Sequence, residues 1–412
     1  MEAFCEVADG SVTTPAGWSA CGIVAGLKRS GAPDLAMLAS DRPATVAAAF
    51  TANAFAAAPV QLDREVVAAG RPVRAVVINS GNANACTGER GLADAREMAR
   101  HAAALLKVPP AEVLVSSTGR IGVPMPMAKI TRGIGLAVAA LARNGGLQAA
   151  EAIMTTDTRR KSLAVAVTVD GRPVHIGGMT KGAGMIAPKL RPTRPPQATM
   201  LAYLTTDAAV APEFLQQLLN ASLDASFNRI TVDGDTSTND TFLALANGAA
   251  GNRPLTAGHP DAAAFQAAFN HVAGRLAREM VLDGEGVTRF VELVVRGARD
   301  DAQARCCAEA IAGSLLVKTA WFGADPNWGR ILCAAGYSGV ELNPDRVTLD
   351  YNDTPIVRGG MDAGTPEPKQ VEAIKRREFT VTLDLGVASG RFTIWTCDLS
   401  YEYVKINADY HT

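Results

Sequence analysis

The chain has 412 residues, 48% hydrophobic and 20% charged, enough to bury a large core and to build two domains or one unusually large one. Lys plus Arg at 40 against Asp plus Glu at 41 leave a net charge of −1, with no basic block to neutralise a run of phosphates, so nucleic acid is not an expected partner. No segment approaches the roughly eighteen consecutive apolar residues of a membrane span, and the opening MEAFCEVADGS carries acids where a signal peptide carries positive charge, so a soluble, cytoplasmic protein without membrane contact is expected.

Ala47 to Ala58 is Ala-rich without clear periodicity and suits small-residue packing. Arg74 to Ile78 is a short apolar run stopped by Asn79-Ser80-Gly81-Asn82-Ala83-Asn84-Ala85-Cys86-Thr87-Gly88. Beyond it Leu92, Met98, Ala102, Ala103, Leu105 and Leu106 suit one helix face. A strand, a polar loop and a helix are expected. Such a loop can offer amides to an anion at the helix start, but its three Asn can equally hold one another and the backbone in a compact turn. Val113-Leu114-Val115 then runs into Ser116-Ser117-Thr118-Gly119-Arg120-Ile121-Gly122, a strand followed by a loop of hydroxyl residues and glycine. A backbone amide beside a Thr hydroxyl suits an oxyanion, although as an isolated pattern it is more often a plain turn.

Leu147 to Met154 reads as a helix ending at Thr155-Thr156-Asp157-Thr158. Leu163, Val165, Val167 and Val169 alternate up to Asp170-Gly171, and Val174 and Ile176 resume beyond, the pattern of a hairpin with a primed turn. The hairpin delivers the chain to Lys181. A Pro- and Arg-rich run then ends at Gln197-Ala198, followed by Thr199 and the apolar Met200-Leu201-Ala202-Tyr203-Leu204, an expected strand beside the hairpin. A Thr hydroxyl is a poor nucleophile until a base sits beside it. Cutting the chain before the Thr supplies one, since the new α-amine has a reference pKa of roughly 7.7 to 8. Alone, Ala-Thr is an ordinary dipeptide in an exposed loop entering a strand.

Pro212 to Phe227 has helical periodicity and Ile230 to Val232 reads as a short strand. Asp233-Gly234-Asp235-Thr236-Ser237-Thr238-Asn239-Asp240 superficially resembles a calcium loop. It has Thr238 where Gly is needed and Ala244 where a bidentate Glu is needed, so calcium is rejected. Its side chains are expected to cap a helix starting near Thr241. A long helix from about Ala262 closes on Asp283-Gly284-Glu285-Gly286, which sets a carboxylate on tightly turning backbone, and Val291 to Val295 is a strand. Helices follow over Asp301 to Leu315 and from Asp325-Pro326-Asn327-Trp328-Gly329-Arg330, with Pro near the first turn. Strands over Val347 to Tyr351, Phe379 to Leu385 and Phe392 to Cys397, and a last piece ending Asn407-Ala408-Asp409-Tyr410-His411-Thr412, finish the chain.

The seven cysteines (Cys5, Cys21, Cys86, Cys306, Cys307, Cys333, Cys397) form no C-x-x-C pair and read as reduced and mostly structural. The five histidines (His101, His175, His259, His271, His411) show no i, i+4 pair and no cysteine partner at ligand spacing, which disfavours zinc.

In one order along the chain, SSTGRIG, IMTTDT, KGAGMIAP, ATMLAYLTTDA, FNRITVDGDTSTNDT, DGEG, VKTAWFGADPNWGRI and INADYHT resemble the ornithine acetyltransferase family, the bifunctional glutamate N-acetyltransferases of arginine biosynthesis. The resemblance implies an α/β fold with mixed sheets packed inside and helices outside, an αββα-type sandwich. It also implies a precursor that cuts itself between Ala198 and Thr199. The products, residues 1–198 and 199–412, are expected to stay together as a heterotetramer of two each. The implied reaction moves acetyl from N2-acetylornithine to glutamate through an ester on Thr199. Thr118 and Gly119 fall on the oxyanion pair, and Thr155, Lys181, Thr199, Glu285, Asn407 and Thr412 on substrate contacts; taking Thr155 rather than Thr156 rests on a one-residue alignment. Lys181 and nearby hydroxyls suit a substrate carboxylate, and Glu285 a substrate ammonium or the Thr199 amine. No metal and no cofactor are implied, and acetyl-CoA is left open as a co-substrate. One stretch departs from the family. Lys189 to Gln197, with three prolines and two arginines, stands where relatives have only a few residues, and is expected as a stiff, exposed bulge. Two other readings stay open: an amidase or aminopeptidase that passes the acyl group from the same Thr to water, and an uncut homologue that acts as a binding partner.

Overall fold

The computed structural model describes residues 4–188, 190 and 200–409. They form two compact units, the first taking in the chain up to Asn228 together with Asp235–Met280, the second Arg229–Gly234 with the chain from Val281 onward.

The first unit is built, in order, from β1 (Phe4–Glu6), β2 (Trp18–Ile23), β3 (Leu35–Phe50), α1 (Ala58–Ala68), β4 (Val73–Asn82), α2 (Gly88–Leu106), β5 (Val113–Arg120), α3 (Met127–Ala140) and α4 (Gly146–Ala152). It continues with β6 (Lys161–Val169), β7 (Arg172–Lys181), β8 (Leu201–Thr206), α5 (Pro212–Ala225), β9 (Thr241–Ala246) and α6 (Ala262–Leu282), whose last two residues belong to the second unit. The strands run β1-β6-β7-β8-β9-β3-β4-β5, with β2 also on β3. The long β3 joins two layers. Its first part, Leu35 to Ala39, pairs with β2 and β4, and its last part, Thr45 to Phe50, pairs with β9. The exposed Asp41, Arg42 and Pro43 lie between, where the register with β4 slips. A strand that bends in this way folds one sheet over the other.

Between the layers Trp18, Leu38, Ile78 and Leu114 meet Met179, Leu201, Tyr203 and Leu243 in one buried core. On the outer face of the β2-β3-β4-β5 layer, Met37, Val77 and Val115 pack against Leu62, Met98 and Ile130 of α1, α2 and α3. On the other layer α6 sits so close that a Cβ at Gly178 would meet Leu276 Cδ1 at 2.7 Å and Val272 Cγ1 at 2.8 Å. The first unit is therefore an αββα sandwich, the architecture that the motifs led us to expect.

The second unit contains β10 (Phe290–Ala298), α7 (Asp301–Ala312), α8 (Leu315–Gly323), α9 (Trp328–Gly336), β11 (Thr348–Tyr351), β12 (Thr354–Arg358), β13 (Met361–Asp362), α10 (Glu367–Ile374), β14 (Glu378–Asp384), β15 (Gly390–Cys397) and α11 (Tyr401–Asp409). Its sheet runs β13-β12-β11-β14-β10-β15, and β10 and β14 are parallel. Alternate residues Val291, Leu293, Val295, Val381 and Leu383 pack under Cys307, Ile311, Trp321 and Ile331 of the helices.

Several local expectations give way to pairing. The polar runs after Ile78 and Val115 continue as strand to Asn82 and Arg120, because β4 and β5 lie side by side in parallel and their polar side chains bond across the pair, Ser117 Oγ to Asn79 Oδ1 at 2.6 Å. No helix starts at Thr241; the residue opens β9, which is held between β8 and β3. Ile230 forms only a single bridge, to Trp395, in place of a strand. Pro326 lies before the Asn327 cap of α9 and outside its first turn. The C-terminal piece through Asn407 is helical, as α11. Residues 1–198 and 199–412 do not correspond to the two compact units. β8, α5, β9 and most of α6 complete the first unit, with β8 antiparallel to β7 (Leu201 opposite Lys181) and parallel to β9.

Candidate active site

Thr118 is the last fully buried residue before β5 reaches its end, and Gly119 follows it in register opposite Gly81 of β4. Lys181, at the end of β7 and 2% exposed, reaches across the space between the layers. Its ammonium donates to Thr118 Oγ1 at 3.3 Å and to Thr155 Oγ1 at 2.7 Å. A hydroxyl oxygen that accepts from a lysine keeps its own proton for a further acceptor. Thr118 can thus donate outward while Lys181 polarises it. The neighbouring Thr156 makes no such contact with Lys181 among the bonds between described residues, so Thr155 is the hydroxyl that faces the ammonium.

Asp157 organises this corner. Its Oδ1 accepts from Lys161 Nζ at 2.6 Å and from the Gly182 N–H at 2.7 Å, and its Oδ2 accepts from the Thr155 N–H at 3.0 Å. Burial alone would raise the Asp157 carboxyl. Lys161 and Lys181 close by, with the Gly182 N–H, override it and hold the group well below the usual carboxylate range. The pair with Lys161 is fully buried and sets the Thr155 backbone beside Lys181. The sequence signal for it was the inward face of β6: the alternation of Leu163, Val165 and Val167 extended back one step lands on Lys161, and a lysine there requires a buried partner.

A second missed group anchors the chain just after position 199. Asp240 Oδ1 accepts the Met200 N–H, and Thr241 N donates to Met200 O at 3.0 Å. Asn239 Nδ2 donates to Ala83 O at 2.6 Å and to Ser117 O at 2.8 Å. One dipeptide thereby ties the start of β8 to the strand that carries Thr118. Of the Lys189 to Gln197 stretch, only Leu190 is described. It is buried, with Asn228 bonding both its N–H (2.5 Å) and its carbonyl (2.9 Å), so at this residue the stretch is not exposed.

In the second unit Glu285 is 8% exposed and accepts from Asn407 Nδ2 of α11 at 2.7 Å. A Cβ at Gly286 would meet the Tyr403 backbone N at 2.6 Å, so the loop after α6 turns against α11 only because that residue is glycine. The expected site residues fall into two described groups: Thr118, Gly119, Thr155 and Lys181 in the first unit, Glu285 and Asn407 in the second. Ala198, Thr199 and Thr412 lie outside the described residues.

Other features stand apart from these groups. A cleft of about 290 Å³ opens beside Phe55, Gln61 and Cys86 and includes none of the expected site residues. Asp170, His259 and Asp261 come together at the β6–β7 turn, which sequence spacing did not foresee; Arg253 takes the Asp170 carboxylate at 2.5 Å, and the Asp261 N–H donates to His259 Nδ1 at 3.1 Å. The described cysteines are all free, and burial pushes the thiols of Cys21, Cys307 and Cys397 up to about 11, which makes them unreactive.

Comparison with known proteins gives a consistent result. The model of the ArgJ family matches residues 19–412. An arginine biosynthesis bifunctional protein ArgJ from Geobacter sulfurreducens is 51% identical over 391 residues, spanning 95% of this chain and 98% of that protein. The protein of the same name from Symbiobacterium thermophilum is 48% identical over 405 residues, 98% and 99% of the two chains. Among solved structures, an arginine biosynthesis bifunctional protein from Bacillus halodurans matches at 43% identity with a TM-score of 0.50, covering 52% of this chain and 100% of the solved one.

Proposed function

The chain belongs to the ArgJ family, and on that footing we propose that it transfers the acetyl group of N2-acetylornithine to glutamate, in arginine biosynthesis, through an acetyl ester on Thr199. The observation that carries this reading is the Lys181 ammonium shared between Thr118 and Thr155, directly opposite Leu201, the second residue after Thr199.

Cleavage between Ala198 and Thr199 frees an α-amine with a reference pKa of about 8, which takes the proton of the Thr199 hydroxyl. The hydroxyl oxygen attacks the acetyl carbonyl, and the oxyanion that forms accepts from the Thr118 hydroxyl and the Gly119 N–H. Collapse breaks the C–N bond, and the departing ornithine amine takes the proton from the Thr199 ammonium. The amine of glutamate then attacks the ester and Thr199 leaves as the hydroxyl. Lys181 and Thr155 receive the substrate carboxylate; for Glu285, which accepts from Asn407 in the second unit, the role of partner to an ammonium, the substrate's or that of Thr199, is proposed on the resemblance alone. Acetyl-CoA as a second donor is proposed on the resemblance alone; acetylglutamate formed from acetyl-CoA and glutamate without acetylornithine would establish it.

Two observations support the cut. The Bacillus halodurans chain is matched over its whole length by 52% of this one, the share that residues 199–412 make of 412. The hydrogen bonds of β8 to β7, and of β9 to β3, run between segments on either side of position 198, so the two products would stay bound to each other through the first unit; a heterotetramer of two each is the assembly proposed on the resemblance. Among the described residues no helix is long and apolar enough to cross a membrane; a cytoplasmic enzyme is the corresponding proposal.

Incubation with acetylornithine alone, followed by peptide mass analysis, tests the mechanism. An acetyl group on the fragment that begins at Thr199 is expected. Acetyl elsewhere, or none from an active preparation, rules it out, and free acetate released without glutamate would instead indicate the hydrolytic route.

A further inference from the structure

Lys28 lies in the connection between β2 and β3, a stretch outside every motif quoted above. Its backbone is fixed by Asp34, whose carboxylate accepts the N–H groups of Ala25 (2.6 Å), Gly26 (3.1 Å), Leu27 (2.5 Å) and Lys28 itself (2.9 Å). Four backbone donors on one carboxylate make a rigid loop. The half-buried Lys28 stem then runs over Gly81, where a Cβ would come within 3.4 Å of Lys28 Cγ, and Gly81 is the register partner of Gly119. The ammonium donates to Pro33 O at 2.6 Å and Ala152 O at 3.4 Å. The same Ala152 carbonyl accepts from Ser80 Oγ at 2.6 Å, and Ser80 is the register partner of Thr118. Lys28 is therefore held against the strand pair that carries the oxyanion residues, with two of its three N–H groups engaged among the described residues.

The charged groups around this ammonium are Asp34, Lys181, Asp157 and Glu151. Asp34 is engaged by the four amides and Asp157 by Lys161, Thr155 and Gly182, while Glu151 is exposed to solvent, which screens it; Lys28 and Lys181 stand as neighbouring cations. Burial lowers the Lys28 ammonium to about 8; Asp34 opposes that shift and Lys181 adds to it. An anion arriving between two such cations is favoured by both. Glutamate brings two carboxylates to the site and acetylornithine one.

We propose that Lys28 determines acceptor specificity by receiving the side-chain carboxylate of the incoming glutamate, while Lys181 and Thr155 serve the carboxylate common to donor and acceptor. The inference rests on the acetyl-transfer reading above. It predicts an asymmetry between the half-reactions: formation of the acetyl ester from acetylornithine needs no Lys28 charge, and its removal by glutamate does.

The test combines Lys28→Met and Lys28→Arg with glutamate and glutamine as acceptors. In Lys28→Met the rate of Thr199 acetylation by acetylornithine should stay within about twofold, while the glutamate KM rises roughly tenfold or more, the scale of one charge-assisted hydrogen bond. Lys28→Arg should restore most of the glutamate KM. Glutamine, which lacks the second carboxylate, should be a poor acceptor for the wild type and should lose little further in Lys28→Met. An unchanged glutamate KM, or equal losses in both half-reactions, overturns the proposal. If Lys28→Met does not fold, equal KM values of the wild type for glutamate and glutamine overturn it independently. Absence of any acetyl group on Thr199 in the wild type would instead overturn the reading on which it rests.

Discussion

Gly119 and Gly81 face each other so closely across β4 and β5 that a Cβ on Gly119 would lie 2.5 Å from the Gly81 carbonyl carbon and 2.7 Å from the Asn82 amide nitrogen. Gly119 also has φ +124°, a conformation that residues with a side chain rarely adopt. Backbone strain of roughly 1–3 kcal/mol and a collision of similar cost act together at this position. Gly119→Ala should lower the urea midpoint and abolish turnover together; a variant with wild-type stability would show that β4 and β5 can part freely.

Thr118→Val keeps the shape of the side chain and removes the hydroxyl that Lys181 polarises. Loss of one oxyanion donor slows kcat by about a hundredfold or more. The KM for acetylornithine should change far less, since the bond is made in the transition state, and Thr118→Ser should recover much of the rate. Steady-state kinetics of the two variants decide the point.

Asp157→Asn withdraws the carboxylate that Lys161, Gly182 and Thr155 share. Breaking a buried pair from one side costs about 3–5 kcal/mol, and both side chains of this pair are fully buried. Because the folded group is held well below its ordinary 3.8, its contribution is complete above that value and fades only as the pH falls through the lower, folded value. Urea midpoints of wild type and variant should differ as much at pH 5 as at pH 7, and converge only in strong acid.

His175 offers a milder dependence of opposite sign. Its ring lies 3.3 Å from Asp207 Oδ2, and that hydrogen bond raises the imidazolium above its ordinary 6.5 although burial opposes it. The stabilisation is fully present below 6.5 and is lost as the pH rises through the folded value. With the ring partly exposed, it amounts to less than about 1 kcal/mol. Thermal melts of His175→Asn should fall below wild type at pH 5.5 and rejoin it near pH 9.

What could be read from the residues alone was whatever repeats within one element or sits in a fixed order. The alternation from Leu163 to Val169, broken at Asp170-Gly171, gave the β6–β7 hairpin, whose turn residues have φ +50° and +70°. The apolar faces of α2, α5 and α6 were equally plain, and eight motifs in one order pointed to the family that the comparisons then showed.

Tertiary pairing decided the rest. Asn79 to Asn82, Ser116 to Arg120 and Thr241 all look like loop or cap residues, and they form strand because each finds its hydrogen bonds on a neighbouring strand. Asn239 bonds to Ala83 and Ser117, and Lys28 meets Ala152, over separations of more than a hundred residues. A polar side chain states locally that it needs a partner; which partner depends on the layer brought against it. Lys181 is the clearest case, since a buried lysine at the end of β7 required a partner and only the fold could bring Thr118 of β5, 63 residues earlier in the chain, beside it.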